Sequence, residues 1–122
     1  MKQIFIELYN YRPYWHSLPA EERRRFTDFI LGEAQGLAQH GVEVIAWGMN
    51  DPDTDQRAPY DFFCIYQVPS LEFQRAFEAK VKASKWYEYF DQVNVSGAGM
   101  SPSELLSANV ELRKPVSQKA GS

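Results

Sequence analysis

Two histidines and one cysteine are all that this 122-residue chain offers of the residues that most often hold metals or act as nucleophiles. The lone Cys64 excludes an internal disulfide and any site built from several thiolates, and is expected as a small buried hydrophobe. No apolar run approaches the roughly 18–20 residues that span a bilayer. Positive charge is not in excess either. The net charge is −3, and Arg23-Arg24-Arg25 lies among Glu21, Glu22 and Asp28 as a solvated helix face. Neither nucleic acid nor membrane is therefore expected as a partner. The first residues pass directly into a strand pattern with no signal-like segment, so the chain is expected to be cytoplasmic.

Aromatic residues are plentiful instead. They make up 15% of the chain, beside ordinary apolar (44%) and charged (24%) shares, enough for one soluble domain with a real core. Hydrophobicity alternates with period two over 3–11, 42–49 and 93–99, residues 60–68 read as a central strand apolar on both sides, and apolar residues repeat at helical spacing over 19–40 and 71–91. The order, β-α-β and then β-α-β, predicts an α+β domain over residues 1–112. Its four-stranded antiparallel sheet would carry two helices on one face. In the first strand Ile4, Ile6 and Leu8 fall on one side, and Phe5, Glu7, Tyr9 and Tyr11 on the other. The aliphatic side is expected under the helices; the aromatic side, shared by Trp47, is expected to be open.

The first helix should begin near Ser17 with Pro19 in its first turn, bury Phe26, Phe29, Ile30, Ala34 and Leu37, and stop at Gly41. Ser70 should cap the second, with Phe73, Phe77, Val81, Ser84 and then Tyr87 or Phe90 inward. Ser101-Pro102-Ser103-Glu104 has capping-box spacing and predicts one or two further turns. Residues 113–122 are expected to be a disordered tail.

This element order, the strand lengths and the amphipathic open face resemble the dimeric α+β barrels, which are ferredoxin-like βαββαβ domains. That superfamily includes muconolactone isomerases, antibiotic-biosynthesis-type monooxygenases, and EthD-like and YCII-like proteins. The resemblance covers roughly residues 1–100 and singles out no subfamily. It implies a homodimer closed through the open sheet faces, and a cavity for a small hydrophobic ligand. Physics agrees with the dimer, because Phe5, Tyr9, Trp47 and Phe63 exposed together would form a patch rare on a monomer. A two-fold axis covers such a patch with one self-complementary surface.

Glu7 is the first candidate for chemistry. A carboxylate enclosed among aromatics is costly unless hydrogen-bonded or paired, and its pKa rises toward that of a general base. The plainer alternative is a Glu at the barrel mouth, paired with an Arg or Lys of the second copy. His16, in the loop after the first strand, is the second acid–base candidate; an exposed loop histidine is the alternative. Tyr9, Trp47, Tyr66 and Trp15 are candidate walls of an aromatic pocket, or ordinary core. Asp51, Asp53 and Asp55 open like an EF-hand loop, but Gln56 and Phe62 stand where Gly and Glu are required, so no calcium site is expected.

The function expected is binding of a small apolar or aromatic molecule, with cofactor-independent isomerisation or oxygenation as its chemistry. Two alternatives stay open: a non-catalytic ligand-binding or regulatory module, and a haem protein ligated through His16.

Overall fold

Period-two alternation becomes four strands in the computed structural model, which describes residues 2–117. They are β1 (Gln3–Tyr11), β2 (Glu43–Met49), β3 (Phe62–Val68) and β4 (Phe90–Ala98). Together they form one antiparallel sheet in the order β2-β3-β1-β4. The longest ladder pairs β1 with β4 from Gln3↔Ala98 to Tyr11↔Phe90. Because β1 and β2 both run antiparallel to β3, they are parallel to each other with β3 between them; β3 and β4 flank β1 in the same way. Two βαβ units therefore interlock, each split by a strand of the other.

Five α-helices complete the described residues. α1 (Pro13–Ser17) and α2 (Ala20–Gly36) connect β1 to β2, α3 (Leu71–Ala83) and α4 (Trp86–Tyr89) connect β3 to β4, and α5 (Pro102–Val110) follows β4. A short helix, α1, precedes the expected first helix in a segment expected as loop, and an extended residue separates the two. Leu18, extended at φ −74°, ψ 143°, precedes Pro19, and a residue before proline is pushed out of the helical region. Pro19 thus becomes the cap before α2 rather than part of its first turn. A 3₁₀ turn, Leu37–His40, then ends on Gly41 at φ 84°, where a side chain would be strained.

The expected second helix also stops early. Ser84 turns extended and its hydroxyl oxygen accepts from the Trp86 N–H, a local bond that competes with the helical ladder. Ser84 is exposed rather than inward, and β4 starts at Phe90, earlier than the alternation of valines suggested. α5 is longer than the capping box alone implied. Residues 113–117 carry no helix or strand, and 118–122 of the expected tail lie outside the described residues.

The sheet faces are reversed from expectation. Phe5, Glu7 and Tyr9 are 1%, 2% and 2% exposed, and rings of the helix layer rest on them: Phe77 on Phe5, Trp86 on Tyr9. The helices therefore cover the aromatic side, with Cys64, Tyr66, Val68 and Phe90 in the same core. The open side carries Ile4, Ile6 and Leu8, beside Phe63, Ile65, Val93 and Val95. Large rings bridge the gap of about 10 Å between packed layers and bury more area per residue than aliphatic side chains do. Gly48 shares the open side, where the Phe63 ring lies so close that an added Cβ would come within 2.6 Å of it.

Candidate functional site

Register across the sheet assembles a site in mid-layer. Trp47 pairs with Cys64, Cys64 with Glu7, and Glu7 with Asn94, one residue from each strand on the helix-covered side. The neighbouring row runs Phe62, Tyr9, Gln92. Glu7 thus sits on a central strand with side chains of both flanking strands beside it.

Its partners are all neutral. Gln92 Nε2 donates to Glu7 Oε2 at 2.7 Å and to Asn94 Oδ1 at 2.8 Å. Trp86 Nε1 donates to Gln92 Oε1 at 2.9 Å. Indole N–H is only a donor, so it fixes which end of the Gln92 amide faces the carboxylate. The hydroxyls of Tyr9 and Tyr66 also face Glu7 and favour its charged form, and Trp47 Nε1 donates to Tyr66 Oη at 3.2 Å. Among the described residues no lysine, arginine or histidine hydrogen-bonds to Glu7 or forms a salt bridge with it. Glu7 is buried on the helix-covered side, away from the open face across which a second copy was expected to reach it.

That environment sets the proton affinity. Burial lifts the Glu7 carboxyl from 4.5 to about 7; the donors Tyr9, Gln92 and Tyr66 pull it down, and the charge of Glu78 adds to the rise. Burial, with the nearby Glu7 charge, likewise raises Tyr9 and Tyr66, so both remain donors near neutrality. The Cys64 thiol is pushed up to about 12 by burial and then by Glu7. It is a neutral wall and not a nucleophile. A group that ionises near neutral pH, held by aimed donors in a dry layer, can accept or return a proton.

A second polar chain lies alongside. Gln3 Nε2 donates to Gln74 Oε1 at 2.7 Å, and Gln74 Nε2 to Glu78 Oε2 at 2.8 Å. Gln74 is 0% exposed, and Arg75 reaches Glu78 at 3.0 Å from the surface side. No group of three His, Cys, Asp or Glu among the described residues is placed to hold a metal ion, and no helix among them is long and apolar enough to cross a membrane.

A family model spans residues 2–112, essentially the whole folded domain. The chain belongs to DUF6616, a family of unknown function. No curated protein and no solved structure matches it.

Within this DUF6616 domain the sequence candidates separate. Glu7, Tyr9, Tyr66 and Trp47 come together. His16 does not join them: it is exposed, with its ring edge-on to Tyr11 at 5.8 Å. Tyr11 lies four residues from Glu7, a span of roughly 13 Å along a strand. Trp15 is buried in the same core but away from the carboxylate, 4.9 Å from Phe90 and 5.7 Å from Phe26, and joins Tyr9 through Phe90. Gln92, Trp86 and Gln74 are additions that sequence reasoning missed. Gln92 did carry a signal, since Phe90, Gln92 and Asn94 continue the alternation of Val93 and Val95 backwards. Gln74 carried one too, a polar residue three positions before Phe77 on a helix face otherwise apolar.

Proposed function

We propose that this domain is a ferredoxin-like dimeric α+β barrel whose Glu7 site binds a small apolar or aromatic molecule and moves a proton on it without a cofactor. One observation carries the chemistry: Glu7 is buried, accepts from the Gln92 amide at 2.7 Å, and faces the Tyr9 and Tyr66 hydroxyls with no cation bonded to it among the described residues. A base so placed discharges its proton at ordinary pH and need not break an ion pair to act. The interlocked βαβ units support the fold, and the apolar open face of Ile6, Ile65 and Val95 supports the dimer. Tyr9, Tyr66 and Trp47 would orient the bound molecule. A non-catalytic binding module is the second reading, favoured by the near-complete burial of Glu7 at 2% exposure.

The test is a thermal-shift screen of small aromatic and aliphatic compounds against native protein and Glu7→Gln. Compounds that stabilise the native chain should lose that effect in the variant, with its circular dichroism unchanged. Proton exchange from a bound compound into D₂O separates catalysis from binding alone. A screen without hits, or hits indifferent to the substitution, would remove Glu7 from the account.

A further inference from the structure

The inventory around Glu7 also selects what can sit beside it. Glu7 is faced by Tyr9 on its own strand, Cys64 and Tyr66 on β3, Gln92 on β4, Glu78 on α3 and Tyr87 on α4. Two of these seven groups are carboxyls and the rest are neutral. The guanidinium of Arg75 is already engaged by Glu78 at 3.0 Å. A carboxylate or phosphate brought into this layer would meet like charge and no counter-charge, which in a partly dry site is strongly unfavourable.

The layer is also thin on one flank. The helix-side residues of the edge strand β2, Val44, Trp47 and Met49, are 41%, 43% and 68% exposed. α2 buries no residue completely among the described ones, and its Phe29 is 62% exposed. Trp47 stands between this flank and the carboxylate, since it pairs with Cys64, which pairs with Glu7 across β3, and its indole N–H holds the Tyr66 hydroxyl.

We infer that the site takes an uncharged, flat molecule bearing one O–H or acidic C–H, admitted along β2 past Trp47, and that it rejects anions of the same shape. This rests on the reading of Glu7 given above. The incoming ring replaces Trp47 against Tyr66, and its hydroxyl or acidic carbon reaches Glu7 Oε2. Ring-lined walls (Tyr9, Phe62, Trp86) suit a planar body.

Calorimetric titration with 2-naphthol and 2-naphthoate, on native protein and on Glu7→Gln, tests this directly. At about pH 8, where Glu7 is ionised, native protein should bind the naphthol at least about tenfold more tightly than the naphthoate. The Gln variant should narrow that gap, and lowering the pH to about 5.5 should narrow it in the native chain as Glu7 takes up a proton. Trp47→Ala should speed naphthol association and dissociation together in stopped flow. Naphthoate binding as well as naphthol to native protein would overturn the selection of neutral ligands while leaving the Glu7 site standing. Unchanged rates in Trp47→Ala would overturn the route. Binding of neither probe by the native chain would remove both this inference and the function on which it rests.

Discussion

Burying a carboxylate among neutral partners gives Glu7 a thermodynamic signature that can be read without knowing any substrate. In the unfolded chain the group titrates near 4.5, and in the folded chain near 7. Below about pH 4.5 both states hold the proton and burial is undisturbed. Between 4.5 and 7 only the folded state keeps it, so the folded state binds more protons and stability falls as pH rises. Above about pH 7 the buried charge costs roughly 3 kcal/mol relative to acid conditions. Glu7→Gln removes that term, since the amide stays neutral. The variant should match native protein near pH 5 and exceed its melting temperature by on the order of 10 °C near pH 8. Subtracting the two curves isolates Glu7 from every other titrating group; parallel curves would mean an ordinary, solvated carboxylate. The residues closest to Glu7 in register were largely legible, because period-two alternation alone places Tyr9 beside it. Gln92 carried a signal but fell between the helix expected to 91 and the strand expected from 93, and the turn at Ser84 lets the strand begin at Phe90. His16 stands apart for a geometric reason: it is exposed on α1, past the end of β1 and edge-on to Tyr11, rather than on the strand beside Glu7.

Elements were legible in kind and approximate in their ends. The four strands fall where alternation put them, whereas the breaks at Leu18 and Ser84 depend on single-residue chemistry, a following proline and a competing hydroxyl. Which side of the sheet the helices cover was not legible from β1. The all-aliphatic row suggested the helix-covered side, but the amide that lets the carboxylate lie under the helices is Gln92 on β4, beyond any local pattern. The capping box transferred intact: Ser101 Oγ accepts from the Glu104 N–H at 3.1 Å, and the Ser101 N–H donates to the Glu104 carboxylate at 3.2 Å. These bonds hold the Glu104 carboxyl below its ordinary range. The far end of α5 is closed as well. Arg113 N–H reaches Ala108 O at 3.0 Å and Leu112 N–H reaches Asn109 O at 3.1 Å, the bond pair of a Schellman motif. Leu112 supplies the left-handed residue at φ 54°, a conformation that costs a side chain energy. Ser101→Ala should therefore raise amide exchange rates in the α5 amides about fivefold, the equivalent of losing one cap. Leu112→Gly should slow exchange there. Equal rates in all three proteins would show that packing, not its ends, maintains this helix.

For the whole molecule the reversed faces strengthen the case for the proposed dimer. With the aromatics withdrawn under the helices, the open side is left as a branched aliphatic surface. Ile6 sits at its centre, opposite Ile65 on β3 and Val95 on β4, and Leu8 continues it toward Phe63 and Val93. Val93 and Val95 are 41% and 58% exposed. No carboxylate or ammonium interrupts these rows, so a second copy laid across them would bury apolar area without stranding a charge. Sedimentation velocity at micromolar concentration should show a dimer. Val95→Lys places one charge on each copy in that surface, at a position exposed in the single chain, so folding of the subunit should survive. Two buried ammonium groups should weaken association by on the order of 100-fold or more, with circular dichroism unchanged. A native chain that sediments as one subunit at tens of micromolar would leave the aliphatic face bare in water, and the barrel would then have no basis.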